Sequence, residues 1–251
     1  MGKNPSQVYR SEFFASFVDG AERSASVVVP IVLALLPVKS VVDVGCGVGA
    51  WAAKFLAAGV PDVWGVDGDY VDRCELRIPA DRFIARDLSK PLQVGRTFDL
   101  AVCLEVGEHL PESRARGFVS DLTSLAPCVL FSAAVPHQGG ARHINEQYLP
   151  YWVRLFQRQG FEGIDPIRPQ ILGNVAVEWW YQQNTVMFAA PNHPLLANGF
   201  LKPQSIIHQN LYEDLYERLT LGTLLRVFPA AARRSIRYHL GLAAPAQDRR
   251  G

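Results

Sequence analysis

Short apolar runs alternate with helical patterns over the first two thirds of this chain, and that alternation constrains its fold more than any other feature. "SVVDVG" (40–45), "DVWGVD" (62–67), "RFIARD" (82–87), "TFDLAVCLE" (97–105) and "CVLFSAA" (128–134) read as five strands. "FEGIDPIR" (161–168) and "NTVMFAA" (184–190) suit two more. Between them, "GAWAAKFLAAG" (49–59), a segment from Pro111 to about Leu125, and "INEQYLPYWVRLFQRQG" (144–160) carry helical spacing, two of the three closing on a glycine. Strands that are apolar throughout, separated by helices, specify a parallel sheet covered on both faces. Such sheets bind ligands at the carboxyl ends of their strands.

Ahead of the first strand, residues 6–20 form an aromatic N-terminal helix or cap, and residues 22–36 look helical. The apolar stretch "VVVPIVLALLPVKSVVDVG" is broken by Pro30 and Pro37 and is too short for a membrane helix. It also lies too deep in the chain for a signal peptide. No insertion into a membrane is expected. After the turn-rich "PNHPLLANGFLKP", residues 204–240 read as one or two helices. The expected organisation is a helical cap over 1–37, an α/β domain over 38–200 and a helical, arginine-rich extension over 201–251, whose helices offer a surface for self-association.

The net charge of +1 carries no electrostatic footprint for nucleic acid or an anionic membrane. The basic residues of the tail, Arg226, Arg233, Arg234, Arg237, Arg249 and Arg250, face Asp248 alone. They read as a solvated helix face with a frayed end, or as a surface for an anionic substrate or acidic partner. Of the four cysteines, Cys46, Cys103 and Cys128 lie in or beside apolar runs as small hydrophobes, and with Cys74 they form no C-x-x-C pair. A reduced, cytoplasmic setting follows.

The chemistry concentrates at strand ends. "VVDVGCGVGAW" joins the first strand to a helix, and Gly45, Gly47 and Gly49 let the backbone turn tightly and approach a ligand. The pattern begins with an acid, Asp43, and spaces its glycines unlike a dinucleotide loop. Asp67 ends the second strand, where a carboxylate can accept both ribose hydroxyls. Asp87 ends the third, within reach of an adenine amino group. Three acids at three successive strand ends suit a ligand with an ammonium group, a ribose and an adenine, but no phosphate.

At these residues the chain resembles the class I S-adenosylmethionine-dependent methyltransferases, over roughly residues 38–190. The resemblance implies a Rossmann-like sheet of seven strands, mostly parallel with the last antiparallel, helices on both faces, and S-adenosylmethionine as cofactor. It implies that Gly45, Cys46 and Gly47 line the methionine portion with Asp43 at the entry and Gly49 closing the loop. Asp67 then holds the ribose, Asp87 and Leu88 the adenine, and Glu105 borders the cofactor at the fourth strand.

The fourth strand ends in "LEVGEHLPE". Glu105, Glu108 and His109 are spaced to share one face of a helical turn, as a metal site or an acid/base site requires. Downstream, "ARHINEQYLPYW" sets His143 after the neighbouring fifth strand. Glu-x-x-Glu-His with a later histidine resembles the plant-type small-RNA 2′-O-methyltransferases and the ubiquinone-pathway O-methyltransferases. That resemblance implies a divalent metal (Mg, Mn, Fe, Co or Zn) held by Glu105, Glu108, His109 and His143. A metal-free base at His109, His143 or His137 is the alternative, and a purely structural role for these residues is a third.

Two further segments border the same end of the sheet. "VPHQGGARH" (135–143) could be a lid hinged on its glycines, with His137 and Gln138 as pocket residues. "VEWWYQQN" (177–184) is either aromatic core or an amphipathic wall for a sugar or ring. The function expected is O-methylation of a hydroxylated small molecule, a sugar, a catechol-like ring or a natural-product scaffold in specialised metabolism. The catalytic residues would be His109, His143, Glu108 and His137. RNA ribose 2′-O-methylation and a non-catalytic cofactor-binding module are the rival readings.

Overall fold

The computed structural model of the protein describes residues 5–217 and the isolated positions 228, 229 and 232. The arginines of the tail, with Asp248, lie outside the described residues. Seven strands form one sheet: β1 (Ser40–Val44), β2 (Asp62–Asp67), β3 (Phe83–Ala85), β4 (Leu100–Leu104), β5 (Cys128–Ser132), β6 (Glu162–Ile164) and β7 (Val186–Ala189). Their spatial order is β3-β2-β1-β4-β5-β7-β6. The first five pair in parallel, and β7 runs antiparallel to both β5 and β6. The helices are α1 (Pro5–Leu35), α2 (Ala50–Ala57), α3 (Glu112–Leu125), α4 (Leu149–Gln157), α5 (Arg168–Ile171), α6 (Trp179–Asn184) and α7 (Gln209–Glu217). The alternation of strands and helices implied the parallel, doubly covered part of this sheet, and the family resemblance implied its seven Rossmann-like strands with an antiparallel last one.

Alternating strand residues feed two cores. Val41, Val63, Leu100, Val102, Leu130 and Met187 face α1 and α2, where Val28, Val32, Trp51 and Phe55 are buried. Val42, Val44, Val66, Cys103, Val129 and Phe131 face α3 and α4, where Phe118, Leu122, Trp152 and Phe156 are buried. Phe156 stacks on Phe188 of β7 with ring centroids 3.8 Å apart. Each of these large side chains contributes about 1.5–3 kcal/mol by leaving water, so both sheet faces are tightly specified.

Three expectations are corrected. The N-terminal segments form one helix rather than two, and α1 continues through Pro30 to Leu35. Pro30 removes a single helical bond, to the carbonyl of Ser26, and both residues are exposed where water can replace it. The helix expected over 144–160 is only α4, because the main chain at Ile144 and Asn145 is bonded to Glu108 instead of to a helical turn. The third strand stops at Ala85, so Asp87 does not end it. Arg86 N–H still donates to the Asp67 carbonyl, and the chain then turns on Asp87.

The chain divides into two compact units between His208 and Gln209. In the second, α7 brings the rings of Tyr212 and Tyr216 to 5.0 Å. Among the described residues, no helix is long and apolar enough to cross a membrane.

Candidate functional site

The parallel register aligns the carboxyl ends of the strands. Val44 lies beside Val66, Asp67 beside Ala85, and Leu104 beside Ser132. The glycine loop leaves β1 with Gly45 and Cys46 N–H donating to the Val66 carbonyl, at 2.7 and 3.2 Å. Gly45 has φ +80°, and a Cβ there would stand 2.3 Å from Val106 Cγ2. The loop can therefore pass the end of β4 only as glycine. Gly47 has φ +53° and opens on free space, with nothing within 4 Å of a would-be Cβ. Gly49, at φ +87°, caps α2. Cys46 is partly buried, and its thiol is pushed up by burial and by the charges of Asp43 and Asp67.

Two acids anchor this half of the site. Asp43 is buried and accepts Ala52 N–H at 3.2 Å. Burial, aided by the charge of Asp67, raises its carboxyl from the ordinary 3.8 to about 7, the Ala52 bond opposing. Asp67 is also buried and takes Gly47 N–H at 2.7 Å on one oxygen and Gly68 N–H at 2.6 Å on the other. The exposed Tyr70 donates its hydroxyl to that second oxygen. Asp87 sits in a surface turn, accepting Ser89 N–H at 3.0 Å and Ser89 Oγ at 2.6 Å. Those bonds, with Lys90, hold its carboxyl below the usual range. Leu88 is buried in the core under α3.

The end of β4 is built differently. Glu105 has φ +55°, a strained conformation for a residue with a side chain. Gln138 Nε2 donates to one of its oxygens at 2.7 Å and Asn184 Nδ2 to the other at 3.1 Å. Gln138 Oε1 in turn accepts from Asn184 at 2.8 Å and from Val135 N–H at 3.2 Å. Glu108 is fully buried, and neither carboxylate oxygen has a hydrogen-bond partner. Burial raises the carboxyls of both glutamates, and the charge of Glu105 raises Glu108 further. Main-chain groups of Glu108 and Ala134 offset this only in part, whereas the amides of Asn184 and Gln138 pull Glu105 back down.

Glu108, His109 and His143 come together, with one ligand atom from each all within 4.8 Å of one another. The two imidazoles meet edge to face, with centroids 4.8 Å apart. Burial, then the charge of His143, lowers the His109 pKa. Two corrections apply. Glu105 stands outside this group of three, and its oxygens accept from Gln138 and Asn184. His137 is exposed and also stands outside it, with its N–H donated to Glu146 at 2.8 Å.

The glycine-rich loop over 135–143 is bonded to Glu146, and the residues after it to Glu108. Glu146 accepts from His137 N–H, Gly139 N–H and His143 Nδ1, while Ile144 and Asn145 N–H donate to the Glu108 carbonyl. In "WWYQQN", Tyr181 is core. It lies edge to face with Trp51 at 5.1 Å, and Gln183 and Asn184 join the polar network behind Glu105. The sequence placed Asn184 in a candidate pocket wall without its bond to Glu105, and gave no role to Glu146. The His143–Glu146 spacing of three was the visible signal for the second.

Comparisons with known proteins agree with this architecture. Residues 19–119 match a family described as a methyltransferase domain. No curated protein matches the chain in sequence. Among solved structures, magnesium protoporphyrin IX methyltransferase from Synechocystis PCC 6803 is 22% identical with a TM-score of 0.51, covering 76% of this chain and 89% of that one. The sugar N-methyltransferase KedS8 from Streptoalloteichus is 14% identical with a TM-score of 0.55, covering 76% and 94%. An amino pentose methyltransferase from Micromonospora echinaspora is 18% identical with a TM-score of 0.52, covering 75% and 99%. The family match spans less than half of the chain, and the solved structures share its fold.

Proposed function

We propose that the protein is an S-adenosylmethionine-dependent methyltransferase, with residues 38–200 as its catalytic domain, and that it methylates a hydroxyl of a small molecule with the help of a divalent cation. The cofactor part rests on the β1–β2 end. Gly47 leaves the approach over the loop open, and the buried Asp67 faces it as an acceptor. Two of the similar structures contain S-adenosylmethionine or its product. When bound, the cofactor supplies the methyl group. Asp67 accepts its ribose hydroxyls, and Asp43, Gly45, Cys46 and Gly47 line its amino acid portion.

The metal part rests on one observation: a fully buried carboxylate, Glu108, with no partner for either oxygen, beside two imidazoles. An unpaired buried charge is costly, and a cation offsets that cost. Glu108, His109 and His143 would hold it, a mixed oxygen and nitrogen set suited to Mn²⁺, Fe²⁺, Co²⁺ or Zn²⁺ as well as Mg²⁺. Such an ion lowers the pKa of a bound hydroxyl and fixes its orientation. Three protein ligands leave room for a diol or catechol, which favours those acceptors. The similar structures are named for a sugar nitrogen, an amino pentose and a porphyrin, so the preference for oxygen rests on this donor set. The four free cysteines fit a reducing, cytoplasmic setting.

A second reading is favoured by the pairing of His143 Nδ1 with Glu146 at 3.0 Å. A carboxylate on one ring nitrogen leaves the other to take a hydroxyl proton without a metal. Metal content, with turnover on a diol and catechol panel in the presence and absence of chelator, separates the two. Loss of turnover in chelator with cofactor affinity retained is the expected result. Full turnover in excess chelator removes the metal and promotes His143 as base. Cofactor binding with no turnover on any alcohol favours a non-catalytic module.

A further inference from the structure

We propose that Glu146 is the positioning residue of this site: its carboxylate selects the tautomer and orientation of His143 and ties them to the fold of the 135–143 loop. The proposal rests on the preceding reading only in giving His143 a chemical task, as ligand or as base.

A neutral imidazole has two tautomers, and a partly exposed ring on a loop can turn over. At His143 both freedoms are removed. Glu146 Oε1 lies 3.0 Å from Nδ1, and a carboxylate only accepts, so Nδ1 carries the hydrogen and Nε2 keeps its lone pair. The ring also packs on Gly140, where a Cβ would stand 2.3 Å from Nε2 and 2.4 Å from Cε1. The pair is largely shielded, with side-chain exposures of 12% and 20%, so water competes weakly for the bond.

The same carboxylate organises the loop. Its Oε1 also takes Gly139 N–H at 2.9 Å, and its Oε2 takes His137 N–H at 2.8 Å. His137 and Arg142 hold φ of +73° and +62°, conformations that cost residues with side chains about 1–3 kcal/mol each. Three converging donors, two from the main chain and one from His143, offset that strain. On the far side, Ile144 and Asn145 N–H grip the carbonyl of Glu108 at 2.9 and 3.0 Å. The segment 143–146 therefore links the main chain of one member of the cluster to the ring of another. Glu146 is not itself within the group of three, and it acts through His143. Carboxylates placed this way behind a ligating or catalytic histidine fix the tautomer and raise its basicity.

The test uses the full-length, metal-free protein with ¹⁵N-labelled histidine, above the pH range where imidazole is protonated. Long-range ¹H–¹⁵N correlation reports which ring nitrogen bears the hydrogen. The wild type should show His143 as the Nδ1–H form. Glu146→Ala should move it toward the Nε2–H form that imidazole prefers in water, whereas Glu146→Gln, whose one carbonyl oxygen can still accept from Gly139 N–H and His143 Nδ1–H, should move it less. A role confined to folding the loop would leave the tautomer in place. Titration with Mn²⁺ alone, followed by electron paramagnetic resonance, should show about 10- to 100-fold weaker binding in Glu146→Ala. His143 remaining Nδ1–H in both variants overturns the proposal. A wild type that binds no Mn²⁺ overturns the metal reading instead, and the tautomer still decides the role of Glu146.

Discussion

The acids at the ends of β1 and β2 and the acids after β4 lie along one edge of one sheet, yet they are provided for in opposite ways. Asp67 receives two main-chain N–H groups and a tyrosine hydroxyl, and Asp43 receives the N–H of Ala52. Three of those donors are main-chain groups of the glycine loop, the start of α2 and the residue after β2, so most of this half of the site forms as the backbone folds. Glu105 is next, held by two side-chain amides from distant segments. Glu108 has nothing. A buried carboxylate without donors is tolerated when something outside the chain completes it. The first half is supplied with donors by its own chain, and the second half leaves a buried carboxylate without them.

The largest effect expected tests whether the first half is as complete as it looks. Asp43 has a single donor, and burial raises its carboxyl to about 7. Between its ordinary 3.8 and about 7, the folded protein keeps a proton that the unfolded chain has released. Stability conferred at low pH is therefore lost as pH rises through that window, at up to about 1.4 kcal/mol per pH unit and on the order of 4 kcal/mol in all. Asp43→Asn, which retains an acceptor for Ala52, should flatten this slope in urea unfolding of the cofactor-free protein. A difference between variant and wild type that is constant from pH 4 to pH 7 would place Asp43 with the fully satisfied acids.

Next come the residues of the unfinished half. Glu108→Leu and His143→Ala should each lower the methylation rate about 100-fold or more, comparable to losing an oriented electrophile. Cofactor affinity should barely change, because the cofactor's acids belong to other strands. Glu108→Leu should also leave the metal-free protein as stable as the wild type or more so, since it removes a buried carboxylate that has no partner. A large loss of stability in that variant would mean that Glu108 is satisfied after all, and the contrast between the halves would fall.

A smaller loss is expected at Asp67. Asp67→Ala should weaken S-adenosylmethionine binding by about 1.5–3 kcal/mol, the range for hydrogen bonds to a charged acceptor. Calorimetric affinity equal to wild type would remove the ribose from this carboxylate.

Which of these features could be read in the chain depends on the range of the interactions behind them. The strands and α3 follow from local pattern, and Gly45, Gly47 and Asp67 from a loop whose bonds all lie within a few residues or one neighbouring strand. Asp87 was misplaced because a two-residue turn, Ser89 N–H on its own carboxylate, ended the strand early. Glu105 was grouped with Glu108 by spacing, yet its partners are Gln138 and Asn184, 33 and 79 residues away. No periodicity announces such contacts. His137 and His143 looked alike in sequence, and a single side chain, Glu146, bonds the backbone of one and the ring of the other.

The smallest predicted effect asks whether the first half is held ready or held shut. A carboxylate offers about four acceptor positions. On Asp67, Gly47 N–H takes one on Oδ2, while Gly68 N–H and the Tyr70 hydroxyl take both on Oδ1. One position is left, and a ribose with two hydroxyls needs two. The main-chain donors cannot leave without unfolding the loop, so Tyr70, 80% exposed and joined to the site by its hydroxyl, must yield. Tyr70→Phe removes the competitor and leaves the ring. Affinity for S-adenosylmethionine should then tighten by about 0.5–1.5 kcal/mol, the net worth of one hydrogen bond. Titration calorimetry on the two proteins reads this directly. Weaker binding in Tyr70→Phe would mean that the hydroxyl and the ribose share the carboxylate, and that the half of the site completed by its own backbone also needs Tyr70 to receive its ligand.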